Sequence, residues 1–159
     1  TRMNKVIVLD MDGTIADFYS VNGWLDDIMK EDTRPYDIAQ PLYDMDTFNA
    51  ILDLFRWQGW RIVITTWLSK SATKAFEDKT RASKLAWLKR YNVQYDEIHL
   101  IKYGTTKANA TRKLGGFQVL VDDNEKIRNG WHLGVTIDAN KNILEELIKL
   151  LEWYNLESE

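Results

Sequence analysis

Three short runs of apolar, mostly β-branched residues, each leading into an acid or a hydroxyl, constrain this chain more than anything else in it. They are residues 5–10 (KVIVLD), 60–65 (WRIVIT) and 117–121 (FQVLV), the last running directly into Asp122-Asp123. Apolar runs of this length read as strands buried on both faces, as in a parallel sheet. Parallel strands need crossover connections, and the intervals between these runs are long enough to hold them.

Residues 44–57 carry Phe48, Ile51, Leu52 and Phe55 at helical spacing, with Gly59 as a stop. A long helix over about 71–91 has Leu85, Trp87 and Leu88 on its apolar side. Residues 95–101 read as a third strand. Thr105 or Thr106 then caps a short helix that Gly115-Gly116 ends. A helix near 125–131, a weak strand at 135–137 and a terminal helix over 142–154 complete the pattern. The alternation predicts an α/β fold, a three-layer sandwich around a parallel sheet. At 159 residues the expectation is a single domain, spanning 3–157. Residues 18–43 hold both prolines and fit no sheet position. They are expected to form a small flap or cap, with one helix near 22–30, over the carboxyl edge of the sheet. Gly23 and the 34–41 stretch are its expected hinges.

Composition removes several kinds of chemistry. With no cysteine, the chain has no disulfide, thiolate nucleophile or zinc–thiolate site, and two histidines cannot make a histidine-rich metal centre. A net charge of -3 offers no bulk basicity for nucleic acid or an anionic membrane. The apolar runs fall far short of the ~20 residues that cross a bilayer. No signal peptide is visible, Thr1-Arg2 ahead of Met3 reads as a cloning remnant, and the expected location is cytoplasmic.

In open α/β sheets, ligands gather at the carboxyl ends of the strands. Those ends offer Asp10 and Asp12, then Thr65 and Thr66, then Lys107 in the loop after the third strand, then Asp122 and Asp123. Four carboxylates at one spot cannot all ionise without a compensating cation. Lys107 supplies one positive charge, and a hard, oxygen-seeking ion such as Mg2+ is the natural remainder. Lys107 is preferred over Lys102 and Lys113 because Gly104-Thr-Thr-Lys sets it at a helix start beside the strand end. Whether Thr65 or Thr66 faces the site depends on strand register, and either Asp122 or Asp123 could touch the metal. Each feature also has a plainer reading. Asp-x-Asp-Gly also suits a calcium-type or capping turn, and Asp122-Asp123 could cap the helix that follows. His99 and His132 read as structural or surface residues and Asp138 as a cap. Trp67 and Trp24 are candidates for stacking on a base or sugar.

Residues 6–14 (VIVLDMDGT) resemble the first signature of the haloacid-dehalogenase (HAD) superfamily: an apolar strand, then Asp, any residue, Asp, Gly and Thr. Residues 62–66 (IVITT) are similar to the second signature, Lys107 to the third, and residues 119–123 (VLVDD) to the fourth. The resemblance implies a Rossmann-like, HAD-type sheet and a Mg2+-dependent phosphomonoester hydrolase. Asp10 would be the nucleophile that becomes an aspartyl-phosphate. Asp12 would protonate the leaving oxygen and later accept a proton from water. Met11, Gly13, Thr65, Thr66 and Trp67 would surround the phosphate, and Lys107 would offset its charge. Mg2+ would be held by Asp10, the backbone carbonyl of Asp12, and Asp122 or Asp123. Dehalogenases need no second Asp, and ATPases of the superfamily carry large extra domains, which leaves the phosphatases.

Ala16-Asp17-Phe18 resembles the continuation of the first motif in 5'(3')-deoxyribonucleotidases, although those enzymes have a larger cap. Trp-Leu-Ser-Lys after the second motif is similar to small phage and bacterial HAD hydrolases. The expected substrate is therefore a nucleotide or other small phosphate ester. The alternatives are a polynucleotide-end phosphatase, against which Trp67 and Asn124 stand where that family favours Arg, and a non-catalytic phosphate-binding regulatory protein.

Overall fold

The computed structural model of the chain describes residues 3–158, so Thr1-Arg2 lies outside the described residues. Five strands, β1 (Lys5–Leu9), β2 (Arg61–Trp67), β3 (Glu97–Ile101), β4 (Phe117–Asp122) and β5 (Thr136–Asp138), form one parallel sheet. Its order is β3-β2-β1-β4-β5. The helices are α1 (Trp24–Met29), α2 (Arg34–Ile38), α3 (Met45–Trp57), α4 (Lys74–Arg90), α5 (Lys107–Thr111), α6 (Glu125–Asn129) and α7 (Ile143–Ser158).

Alternation along the strands builds two apolar layers. Ile7, Leu9, Ile62, Ile64, Val119 and Val121 face one side and pack with residues of α3, α4 and α7. Val6, Val8, Val63 and Leu120 face the other, against Ala108 of α5 and Trp131. Each such side chain, wholly buried, contributes roughly 1.5–3 kcal/mol. The expected three-layer α/β sandwich is therefore present. No helix among the described residues is long and apolar enough to cross a membrane.

The order of strands locates the site. From β1 the chain moves outward through β2 to β3, then returns to β4 beside β1 and moves outward the other way to β5. The connections diverge between β1 and β4, leaving a crevice at their carboxyl ends.

Two segments differ from expectation. β2 runs two residues further, to Trp67, because β3 is staggered upward and pairs Thr65 with His99, Thr66 with Leu100 and Trp67 with Ile101. The insertion at 18–43 holds two α-helices, after a 3-10 turn at Phe18–Ser20, rather than one. The chain reverses at Glu31, which takes a left-handed φ of 56°. Pro35 then sits in the first turn of α2, where a missing N–H costs nothing. The insertion is also fastened to α4 and the loop before it. The Glu31 carboxylate accepts from Thr73 N (2.8 Å) and Thr73 Oγ1 (2.9 Å), and Tyr36 Oη meets Ser69 Oγ at 2.8 Å. The 34–41 stretch, expected as a hinge, is tied down by Trp87 Nε1 and Arg90 Nη1, which donate to the carbonyls of Ala39 and Asp37. Phe18, Tyr36 and Phe76 form a separate apolar cluster beneath it.

Candidate active site

β1 delivers its acids through a tight turn. Asp10 N donates to Val121 O (3.0 Å), which keeps Asp10 level with Asp122 on the neighbouring strand. The Met11 carbonyl then accepts from the N–H groups of Thr14, Ile15 and Ala16. Gly13 takes a φ of +82°, and a Cβ there would run into the Asp123 carboxylate. Both conformation and space therefore demand glycine. Met11 itself is buried in the apolar layer, and the Gly13 N–H is spent on Ala16 O.

Asp10 is held on both oxygens. Thr14 Oγ1 donates to Oδ2 (2.8 Å) and Lys107 Nζ to Oδ1 (2.7 Å). The same Nζ donates to Asp122 Oδ2 at 2.7 Å. Lys107 is only 3% exposed. Burial disfavours its charge, but Asp10 and Asp122 outweigh burial and raise its pKa, so it stays an ammonium. Lys107 opens α5 as expected, whereas Lys102 lies at the surface against Glu77 and Lys113 is exposed.

Asp122 accepts from Asn124 N on its other oxygen (2.9 Å), and Asn124, not either acid, caps α6. Oxygens of Asp10, Asp122 and Asp123 lie within 4.8 Å of one another. Burial, then the negative charge of Asp10, raises the Asp122 carboxyl above its ordinary range. The same two causes push Asp123 up to about 8. Three oxygen donors whose mutual repulsion hinders ionisation are what a hard divalent cation would relieve, so the residues present fit one. The Asp12 carboxylate does not join this triad.

Asp12 turns instead to a residue that sequence reasoning missed. Lys84, on α4, donates to Asp12 Oδ2 (3.0 Å), Thr66 Oγ1 (2.7 Å) and the Trp67 carbonyl (3.0 Å). Burial pushes the Asp12 carboxyl up; Lys84 opposes that rise and Asp10 adds to it. The available signal was a lysine at position 84, four residues ahead of Leu88, on the face that also carries Phe76 and Thr80.

The two threonines divide between the faces of the sheet. Thr66 lines the cleft. Thr65 follows Val63 on the face shared with Val8 and Leu120, and hence with Asp10 and Asp122. Its hydroxyl is buried with no hydrogen-bond partner among the described residues. An unpartnered buried hydroxyl normally marks a missing acceptor or strain.

Above these groups opens a cleft of about 940 Å3. Asp10, Asp12, Asp122, Asp123, Thr66 and Lys107 form its polar floor. One wall comes from the insertion: Phe18, Tyr19, Trp24 and Tyr36, with neighbouring ring centroids 4.8–5.2 Å apart. The other is Trp67 with Tyr103, centroids 5.1 Å apart. Trp67 is anchored by Nε1 donating to Thr105 O (2.9 Å), with Lys107 Nζ 5.8 Å from its ring centroid. His99 pairs with Glu97 on β3 and His132 is exposed, and neither lines the cleft. Asp138 accepts from Asn140 N in the turn after β5 and pairs with Arg128, whereas the side chain that caps α7 is Asn142, which accepts from Glu145 N.

No protein-family model and no curated protein matches this chain. Among solved structures it resembles the crystal structure of D,D-heptose 1,7-bisphosphate phosphatase from Burkholderia thailandensis, with a TM-score of 0.55. That likeness covers 93% of this chain and 99% of the other at 15% sequence identity, and it establishes a shared fold.

Proposed function

We propose that this protein is a Mg2+-dependent phosphomonoester hydrolase acting through an aspartyl-phosphate at Asp10. One observation carries the reading: a buried, lysine-paired Asp10 stands at the switch point of the sheet, with Asp12 two residues on, beneath an open cleft. The resemblance of four ordered motifs to the HAD superfamily supports it, as does a fold shared with a phosphatase.

In the proposed reaction an Asp10 carboxylate oxygen attacks phosphorus while the bond to the ester oxygen breaks. Asp12, raised toward neutrality by burial, gives its proton to that oxygen. Water then attacks the phosphorus, its proton passes to Asp12, and the Asp10–phosphorus bond breaks. Lys107 offsets charge on the phosphoryl oxygens, and the hydroxyls of Thr66 and Thr65 are the candidate donors to them. Asp10, Asp122, Asp123 and the Asp12 carbonyl would hold Mg2+, which when bound draws an anionic phosphate to an anionic nucleophile.

The aromatic walls on both sides of the cleft favour a leaving group with a flat face, and hence a nucleotide among small phosphate esters. Phosphate release with Mg2+ across nucleoside monophosphates, sugar phosphates and phosphorylated oligonucleotides tests this. Mononucleotides should react best, and Asp10→Asn should lose at least about 1000-fold in kcat. Hydrolysis that survives Asp10→Asn would sink the mechanism. Binding of phosphate esters without turnover would favour a regulatory protein instead.

A further inference from the structure

Phe76, Thr80, Lys84 and Leu88 follow one another at four-residue spacing on the buried face of α4, with Trp87 beside them. Lys84 thus occupies a core position and is 0% exposed. A lysine has at most three N–H groups to place. Here three acceptors take them: Asp12 Oδ2, Thr66 Oγ1 and the Trp67 carbonyl. The Tyr36 ring, 5.0 Å from Nζ, covers the same group from the insertion. No donor remains for a substrate phosphate, so Lys84 can influence the reaction only through its partners. Stability is a weak reason for such a residue, because a buried ion pair roughly breaks even against a well-packed apolar side chain.

Those partners are the groups that the phosphatase reading sets on either side of the transferred phosphate. Among the described residues, Lys84 is the only hydrogen-bond donor to the Asp12 carboxylate. Its bond to Thr66 makes that hydroxyl an acceptor, which leaves the Thr66 O–H to donate elsewhere.

We propose that Lys84 is a positioning residue: it pins the Asp12 carboxylate through Oδ2 and orients the Thr66 hydroxyl, so that Asp12 meets the leaving oxygen in line. The proposal rests on the phosphatase reading and deepens it. Through Tyr36 it also ties the insertion that walls the cleft to the acid beneath it.

Lys84→Met keeps the volume of the stem and removes the donors. On a nucleoside monophosphate its kcat should fall roughly 10- to 100-fold, with KM within about twofold of wild type. With p-nitrophenyl phosphate, whose leaving group needs no proton, the variant should release about one equivalent of p-nitrophenolate in a burst. Turnover afterwards should be slow, because water attack still needs Asp12. The double variant Lys84→Met/Asp12→Ala should be no slower than Asp12→Ala alone. Additive losses, a change confined to KM, or wild-type rates would overturn the proposal. If circular dichroism shows that Lys84→Met does not fold, Lys84→Gln, which keeps a shorter donor, is judged by the same three readouts. An inactive wild-type protein would overturn the phosphatase reading and this proposal with it. An active wild type with additive losses would overturn this proposal alone.

Discussion

Lys107 and Lys84 approach one acidic site from opposite faces of the sheet, Lys107 through Asp10 and Asp122 and Lys84 through Asp12, and they are built differently. Lys107 stands at the first position of the short helix α5, between two buried carboxylates at 2.7 Å each. Lys84 lies within the 17-residue α4 and reaches one carboxylate, one hydroxyl and one carbonyl. Each has an aromatic ring beside it, Trp67 for Lys107 and Tyr36 for Lys84. Of the partners of Lys107, the Asp122 side chain keeps 1% of its surface and Asp10 10%, whereas Asp12 keeps 16%. Lys107 therefore neutralises two carboxylates at once, one of them almost fully enclosed, while Lys84 directs a single carboxylate that keeps more access to the cleft. Two lysines at one site need not share a role, and the burial of their partners separates them.

That contrast yields an ordered set of tests. The largest effect is expected from Lys107→Met, which leaves Asp10 facing Asp122 with no cation between them. Breaking a buried pair this way costs about 3–5 kcal/mol, and kcat should drop by roughly 100- to 1000-fold. Denaturant unfolding should show a much smaller loss for Lys84→Met, since Asp12 can be rehydrated. Equal losses for the two variants would erase the distinction.

A middle-sized effect concerns pH and metal. The Asp123 carboxyl in the metal-free protein is raised to about 8, far above its unfolded value of about 3.9. A carboxyl raised on folding stabilises the native state at low pH. That contribution declines as pH climbs through the window from about 4 to about 8, and is gone above it. Thermal unfolding of metal-free protein should therefore show a midpoint that falls between about pH 4 and pH 8. Millimolar Mg2+ should flatten that slope, and a slope unchanged by Mg2+ would argue against a cation held by the three carboxylates.

The smallest effect belongs to the ring beside Lys107. Trp67→Ala should raise KM for a nucleotide by roughly 3- to 10-fold, about 1 kcal/mol of lost stacking, with little change in kcat. Unchanged KM would move the base to the Phe18–Tyr36 wall, and a large drop in kcat would mean that the ring chiefly supports Lys107.

Much of the fold and half of the site could be read from the chain alone. The strands that bring Asp10, Thr66 and Asp122 to their carboxyl ends are short apolar runs that read as buried strands, and all lie in one parallel sheet. Lys107 was found because it stands at a helix start just beyond a strand end, a local relation. The second helix of the insertion was not foreseen, since it depends on a left-handed Glu31 and a proline in a helical first turn. Nor was the fastening of that insertion, which spans contacts such as Glu31 with Thr73, 42 residues apart.

By itself the sequence determined which acids stand at the carboxyl ends of strands, because a buried strand and the residue that follows it are neighbours in the chain. Only the structure showed why position 13 must be glycine, with its φ of +82° and the Asp123 carboxylate where a Cβ would stand. Only the tertiary structure decided that Thr65 and Thr66 take opposite faces, since a shift of one residue in a strand reverses every side chain. Only it joined Lys84 to Asp12 across 72 residues. That contact depends on how α4 is rotated against the sheet, and a helix settles its rotation by packing all its buried side chains at once, so no stretch of sequence around Lys84 carries it.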